Sequence, residues 1–187
     1  MRTLVDTSSL VSLARYYHPF DSTEVLNEFL NSEIASGDII VLDKIAEEVQ
    51  YVSGGMAVEA FPCLKDKKIM VSTKEIIPKQ KFFNMLDNSF VDNAVKRLKF
   101  RDDEEGYNNA RGGFLKSADC ALLVYAMNNS SELDPIQILT EESATQNDGK
   151  LFKKIPFICK EIGIKTLTSV EFLKGLQSIN VNVERLS

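Results

Sequence analysis

Short apolar runs alternate with amphipathic stretches along most of this chain. "RTLV" at residues 2–5, "DIIVL" at 38–42, "IQIL" at 136–139 and "IKTL" at 164–167 have the length and composition of buried strands. Between them, apolar residues recur at three and four positions, as in Leu10, Leu13 and Ala14, then Val25, Leu26, Phe29 and Leu30. That spacing predicts helices with one buried face. "DSTEVLNEFL" opens on Asp21 with Glu24 three residues on, the pattern of a capping box, and Gly37 is placed to end the helix. "KIAEEVQYV" predicts a third helix, broken at Gly54-Gly55. "SADCALLVYAM" predicts a strongly apolar helix packed on a sheet. "IPFICKEIG" predicts another, with Pro156 in its first turn and Gly163 at its end, and "SVEFLKGL" the last. Strands alternating with helices predict an α/β layer structure with a mostly parallel sheet of about four to five strands.

Residues 56–116 break this alternation. "PKQKFFNMLDNSFVDNAVKRLKF" reads as one or two helices, and "RDDEEGYNNARGGF" as a polar, glycine-bearing mobile loop. The expected organisation is one domain over residues 1–187, with 56–116 as a helical and loop insertion.

Composition narrows the function classes. A formal net charge of -5 argues against a wholly basic nucleic-acid coat, while leaving room for a local basic groove. Cys63, Cys120 and Cys159 are odd in number and far apart, with no CxxC pair. They read as free thiols in a reducing compartment rather than a disulfide framework or zinc site. Asp6 interrupts any N-terminal signal segment, and no apolar run reaches the ~20 residues that cross a bilayer. The expectation is a cytoplasmic protein without membrane contact. His18 is the single histidine, set beside Tyr16, Tyr17 and Pro19. It reads as a surface or helix-end residue, so histidine-based nucleophilic catalysis has little support.

The acids are more telling. In parallel sheets, function gathers at the carboxyl ends of the strands. Asp6 directly follows the first strand, and Glu141 and Glu142 follow "IQILT". Glu47 and Glu48 lie on the helix after the second strand, and Asp119 opens the apolar helix. Four segments thus deliver carboxylates toward one edge of the sheet. Packed carboxylates repel unless a cation joins them, and a hard divalent ion takes oxygen ligands. Each residue also has a plainer use. Asp6 is placed to cap the first helix, Glu48 to sit on a solvated helix face, Asp119 to sit at a positive helix end, and Glu141 and Glu142 on a loop surface. The run Asp102 to Glu105 is assigned to solvent, since it lies in the loop-like insertion.

"LVDTSSL", "AEEV", "SADCALLVYA" and "ILTEE", taken in order, resemble the PIN domain family of metal-dependent ribonucleases. "LVDTSSLVSLARYYHPF" and the tail "TEESATQNDGKLFKKIPFICKEIGIKTLTSVEFL" are similar to a subgroup described as a domain of unknown function, DUF4411. The resemblance implies a PIN-like α/β fold and a site of Asp6, Glu48, Asp119 and Glu142 as both metal ligands and catalytic residues. Glu47 is the fallback for Glu48, and Glu142 stands where the family more often has aspartate. Ser8 and Thr140 are implied as hydroxyl partners that contact substrate. The implied cofactor is Mg²⁺ or Mn²⁺ and the implied reaction hydrolysis of RNA phosphodiester bonds. By analogy the protein is the toxin of a type II toxin–antitoxin pair, with a cognate antitoxin and a second copy of itself as further candidate partners.

An RNA substrate needs cations. Residues 79–116 hold eight basic residues against six acids, a net of +2, and include Arg111 and Lys116. Lys116, three residues before Asp119, is the first choice for a phosphate contact. Phe82, Phe83 and Tyr107 are candidates for stacking on bases, with core packing as the competing and stronger use of Phe82 and Phe83. Rival families fit less well. A HAD-type phosphatase wants a second Asp at position 8, which is Ser; a receiver domain wants a lysine after a late strand, where "TEE" stands; a Rossmann domain wants glycines where "DTSS" stands. A non-catalytic PIN-like binding module is the alternative.

Overall fold

The computed structural model describes residues 1–143 and 148–176. Four parallel strands, β1 (Arg2–Val5), β2 (Ile39–Ile40), β3 (Ile136–Leu139) and β4 (Lys165–Leu167), form one sheet in the order β2-β1-β3-β4. β1 is central, in register with Ile39 and Ile40 on one side and with Ile136 to Leu139 on the other. β2 and β3 are fully buried and nearly continuous apolar runs, as is β1 after Arg2, whereas β4 at the edge is partly exposed. The buried polar residues of β1 and β3 pair with each other: Thr3 faces Gln137, whose Nε2 donates to Thr3 Oγ1 at 3.0 Å. The second strand is shorter than the expected 38–42. Val41 and Leu42 leave the ladder and pair instead with Val71, whose N–H donates to Val41 C=O at 3.0 Å.

Helices α1 (Thr7–Tyr16), α2 (Val25–Ser36) and α3 (Asp43–Glu48) follow the first two strands. The capping box expected at Asp21 and Glu24 does not form. Two turn residues intervene, so α2 begins later, and Asp21 caps it from a distance by accepting from Val25 N at 2.9 Å and Leu26 N at 2.8 Å. Glu24 instead takes a left-handed backbone at φ 58°. Gly37 ends α2 at φ 84°, as expected. Helices α4 (Met56–Ala60), α5 (Gln80–Met85), α6 (Asn93–Lys99) and α7 (Glu104–Lys116) occupy the middle of the chain, with one π-helical turn at Leu86–Phe90. Helices α8 (Ala118–Asn129), α9 (Ile155–Ile162) and α10 (Ser169–Gly175) complete the fold.

The expected mobile loop at 101–114 is the clearest correction, because most of it lies in α7. Asp103 Oδ1 accepts from Gly106 N at 2.8 Å, and Glu104 and Glu105 sit at the positive end of the helix. Tertiary contacts then hold a sequence of weak helix propensity. Phe114 stacks on Phe152 at 4.3 Å, and Tyr107 is buried edge-on to Phe100, with Lys96 Nζ 3.6 Å from its ring centre. Asp102 to Glu105 are solvent-exposed, as expected, although on a helix end rather than a loop. Phe82 and Phe90 join the same apolar cluster as Leu4 and Ile138. Phe82 and Tyr107 are therefore core residues and do not offer rings to a ligand, and Phe83 is half-buried under Arg111.

The cysteines are free, and burial pushes the Cys120 and Cys159 thiols up to about 12. His18 is half-buried, edge-on to Phe61 at 5.7 Å. Among the described residues no helix is long and apolar enough to cross a membrane.

Candidate active site

The chain passes from β1 outward to β2, then returns to the other side of β1 as β3. Order therefore reverses between β1 and β3, and in parallel sheets the carboxyl ends at such a reversal are where sites form. Asp6 lies there. Its backbone is locked: the N–H donates to Leu139 C=O at 2.9 Å, and its C=O accepts from Ser9 N at 3.2 Å and Leu10 N at 3.3 Å. Ser9 Oγ sits 2.8 Å from Asp6 C=O and 2.9 Å from Leu139 C=O, tying the two strand ends together.

Asp6 occupies the N-cap position of α1 but makes no side-chain cap, so the plainer use does not account for it. Its Oδ2 accepts instead from Ser8 Oγ at 2.6 Å and Thr140 Oγ1 at 2.9 Å. Those hydroxyls accept in turn from the next loop, Ser8 from Glu141 N at 3.0 Å and Thr140 from Glu142 N at 3.2 Å. Only 4% exposed, the Asp6 carboxyl is pushed upward in pKa by burial and by the Glu142 charge, against the pull of the two hydroxyl bonds.

The other acids arrive from separate segments. Glu47 and Glu48 are both exposed at the end of α3, and what separates them is that Glu48 Oε2 accepts from Thr7 Oγ1 at 2.7 Å. Asp119 sits in the first turn of α8, behind Ser117, whose Oγ caps Cys120 N at 3.1 Å. Burial, then the charges of Asp6, Glu142 and Glu48, push the Asp119 carboxyl up to about 7, with Lys150 opposing. A carboxyl this perturbed by burial and by named charges marks a functional candidate. Glu142 is held at both oxygens, by Lys150 Nζ at 3.0 Å and by Ile155 N, the first amide of α9, at 2.8 Å. Glu141 Oε1 likewise accepts from Ser169 N, the first amide of α10, at 2.6 Å. The four acids thus share one electrostatic environment. Among the described residues, however, no three Asp, Glu, His or Cys side chains converge closely enough to enclose an ion directly. A separate cavity, lined by Lys81, Val124, Ile136 and Lys165, lies at the opposite ends of the strands.

A family model, Domain of unknown function (DUF4411), matches residues 3–179. The chain belongs to the DUF4411 family. The match spans Asp6, Glu48, Asp119 and Glu142 together with the sheet that positions them. No curated protein and no solved structure matches the chain.

The cations of this DUF4411 chain are arranged less as the sequence suggests. Arg111 spends its guanidinium on Asp87, with Nε at 2.7 Å and Nη2 at 2.9 Å. Lys116 is exposed, and its carbonyl accepts from Lys44 Nζ at 2.7 Å. Three participants escape the sequence reading: Thr7, which steadies Glu48; Lys44, which braces the turn before α8; and Lys150, which pairs with Glu142. The "DTSS" run and the "DG" before Lys150 are the available signals, though neither names a partner.

Proposed function

We propose that this DUF4411 protein is a PIN-like, metal-dependent endoribonuclease that hydrolyses RNA phosphodiester bonds, acting as the toxin of a type II toxin–antitoxin pair. The observation that carries this reading is the buried Asp6 at the strand-order reversal, bonded by hydroxyls, next to an Asp119 on which Asp6, Glu142 and Glu48 all act. Burying carboxylates together is unfavourable without a positive partner, so the arrangement is suited to a cation.

The donor set fits Mg²⁺ or Mn²⁺. All its ligating atoms are hard oxygens, and Asp119 is half-buried with no hydrogen bond from any described residue to its carboxylate. Mg²⁺ keeps several waters and needs only one or two carboxylates, so the lack of a three-acid cage does not count against it. Asp6 and Asp119 would hold such an ion. Glu48, steadied by Thr7, and Glu142, steadied by Ile155 N–H and Lys150, would support it through its waters. When bound, such an ion supplies a water of lowered pKa and offsets charge building on the phosphate. Ser8 and Thr140 fix the Asp6 rotamer and couple it to the loop amides.

One observation favours a second reading. Both Glu142 oxygens are engaged and Glu141 caps α10, so the loop acids also serve the fold, as they would in a non-catalytic binding module. Cleavage of single-stranded RNA in Mg²⁺ or Mn²⁺ separates the two. The nuclease reading expects activity that EDTA abolishes and that Asp6→Asn loses with an unchanged circular dichroism spectrum; its expression slows bacterial growth and the variant's does not. Activity that survives EDTA, or full activity in Asp6→Asn, removes the proposed chemistry.

A further inference from the structure

Lys150 is a cation at the edge of the acid group. Among the described residues, its 3.0 Å contact with Glu142 is the one salt bridge made to any of the four acids. Its charge also acts on Asp119, from which the proposed ion would hang.

The backbone delivers this ammonium deliberately. Asp148 at φ 50° and Gly149 at φ 66° form a left-handed turn of the kind Asp-Gly favours, and Lys150 follows at once. The segment after the turn is stitched to the middle of the chain. Asp92 N donates to Leu151 C=O at 2.8 Å, Lys153 N to Phe90 C=O at 2.8 Å, and Lys99 Nζ to Gly149 C=O at 3.0 Å. Lys154 closes the turn on Asp148. The stem of Lys150 is therefore fixed, while its side chain is 54% exposed against 18% for Glu142. A fixed root and a solvent-facing end suit a group that changes partner. Four carboxylates and one divalent ion still leave a formal excess of negative charge, which repels a phosphodiester unless a nearby cation offsets it.

We propose that Lys150 is a phosphate-positioning residue: it pairs with Glu142 when no divalent ion is present and turns its ammonium to the substrate's phosphodiester when one binds. This rests on the nuclease reading above. It implies opposite effects of one substitution on two ligands, which a purely structural lysine does not produce.

The test uses the full chain as wild type, Lys150→Gln and Lys150→Arg, each checked for fold by circular dichroism. Mn²⁺ binding is followed by calorimetry. Binding of a fluorescein-labelled, non-cleavable 2′-O-methyl RNA 12-mer in saturating Mn²⁺ is followed by anisotropy over a salt series. Lys150→Gln is expected to bind Mn²⁺ about threefold or more tightly, because a competing charge is gone. The same variant is expected to bind RNA about five- to tenfold more weakly, with a log–log salt slope reduced by about one, while Lys150→Arg stays near wild type. Unchanged RNA affinity and salt slope in Lys150→Gln overturns the assignment. So does a parallel loss of both ligands, which marks a structural lysine. A wild type that binds neither Mn²⁺ nor RNA overturns the nuclease reading itself, and the role of Lys150 falls with it.

Discussion

Asp119→Asn makes the energetics of the clustered acids measurable without any substrate. In the metal-free protein the Asp119 carboxyl is pushed from its ordinary 3.8 up to about 7, first by burial and then by Asp6, Glu142 and Glu48. The unfolded chain releases this proton near pH 4 and the folded chain near pH 7, so between those values the folded state holds more protons. Stability from this group therefore falls as pH rises through that window and levels off above it. At about 1.4 kcal/mol per tenfold change, the shift sets a ceiling of about 4 kcal/mol. Water at the exposed edge of Asp119 and the exposure of Glu48 reduce it, and about 1–2 kcal/mol is expected. Asparagine imitates the neutral carboxyl at every pH. In EDTA, Asp119→Asn should match wild type near pH 4.5 and exceed it by about 1–2 kcal/mol at pH 8, read from urea unfolding at constant m-value. Saturating Mn²⁺ at pH 8 should close the gap by stabilising wild type alone. Equal pH slopes for the two proteins would refute the reasoning, since Asp119 would then carry no uncompensated charge.

Two further outcomes test the scaffold. Ser9→Ala removes the buried hydroxyl shared by Asp6 C=O and Leu139 C=O and should cost about 1–2 kcal/mol in urea unfolding; no loss would mean the hydroxyl does not tie β1 to β3. Asp103→Ala removes the cap on Gly106 N and should cost about 1 kcal/mol, with faster amide exchange confined to the first turn of α7; unchanged exchange would mean the aromatic contacts alone hold that end.

The parts of the fold legible in the sequence are those where local pattern and burial agree. β1 and β3 are buried on both faces, and their apolar runs coincide with the strand ends at Val5 and Leu139. α8 and α9 carry their boundaries in Ser117, whose hydroxyl caps the first turn, and in Pro156 and Gly163, which start and stop a helix by their backbone chemistry. α7 was not legible, because Gly112 and Gly113 disfavour a helix and what overrides them lies elsewhere. Phe152, its stacking partner for Phe114, is 38 positions away in the chain. The site divides the same way. Asp6 is betrayed by interrupting an apolar run, but the second duty of Glu141 and Glu142 depends on two helices that begin at Ile155 and Ser169. Arg111 looks free until α7 exists and carries it to Asp87.

The central pairing of the sheet has a kinetic consequence. Arg2 meets Ile136 across 134 positions, so the ladder on which Asp6 rests is among the most non-local contacts in the chain. Contacts of such high order form late. On a ribosome, β1 must wait for β3 while the 134 positions from Arg2 to Ile136 are made, and Thr140 and Glu142 emerge after that. A nascent or truncated chain ending before residue 136 carries Asp6 without the hydroxyl and the loop acids that give it a role, so whatever this site does is withheld until β3 and the loop after it have been made.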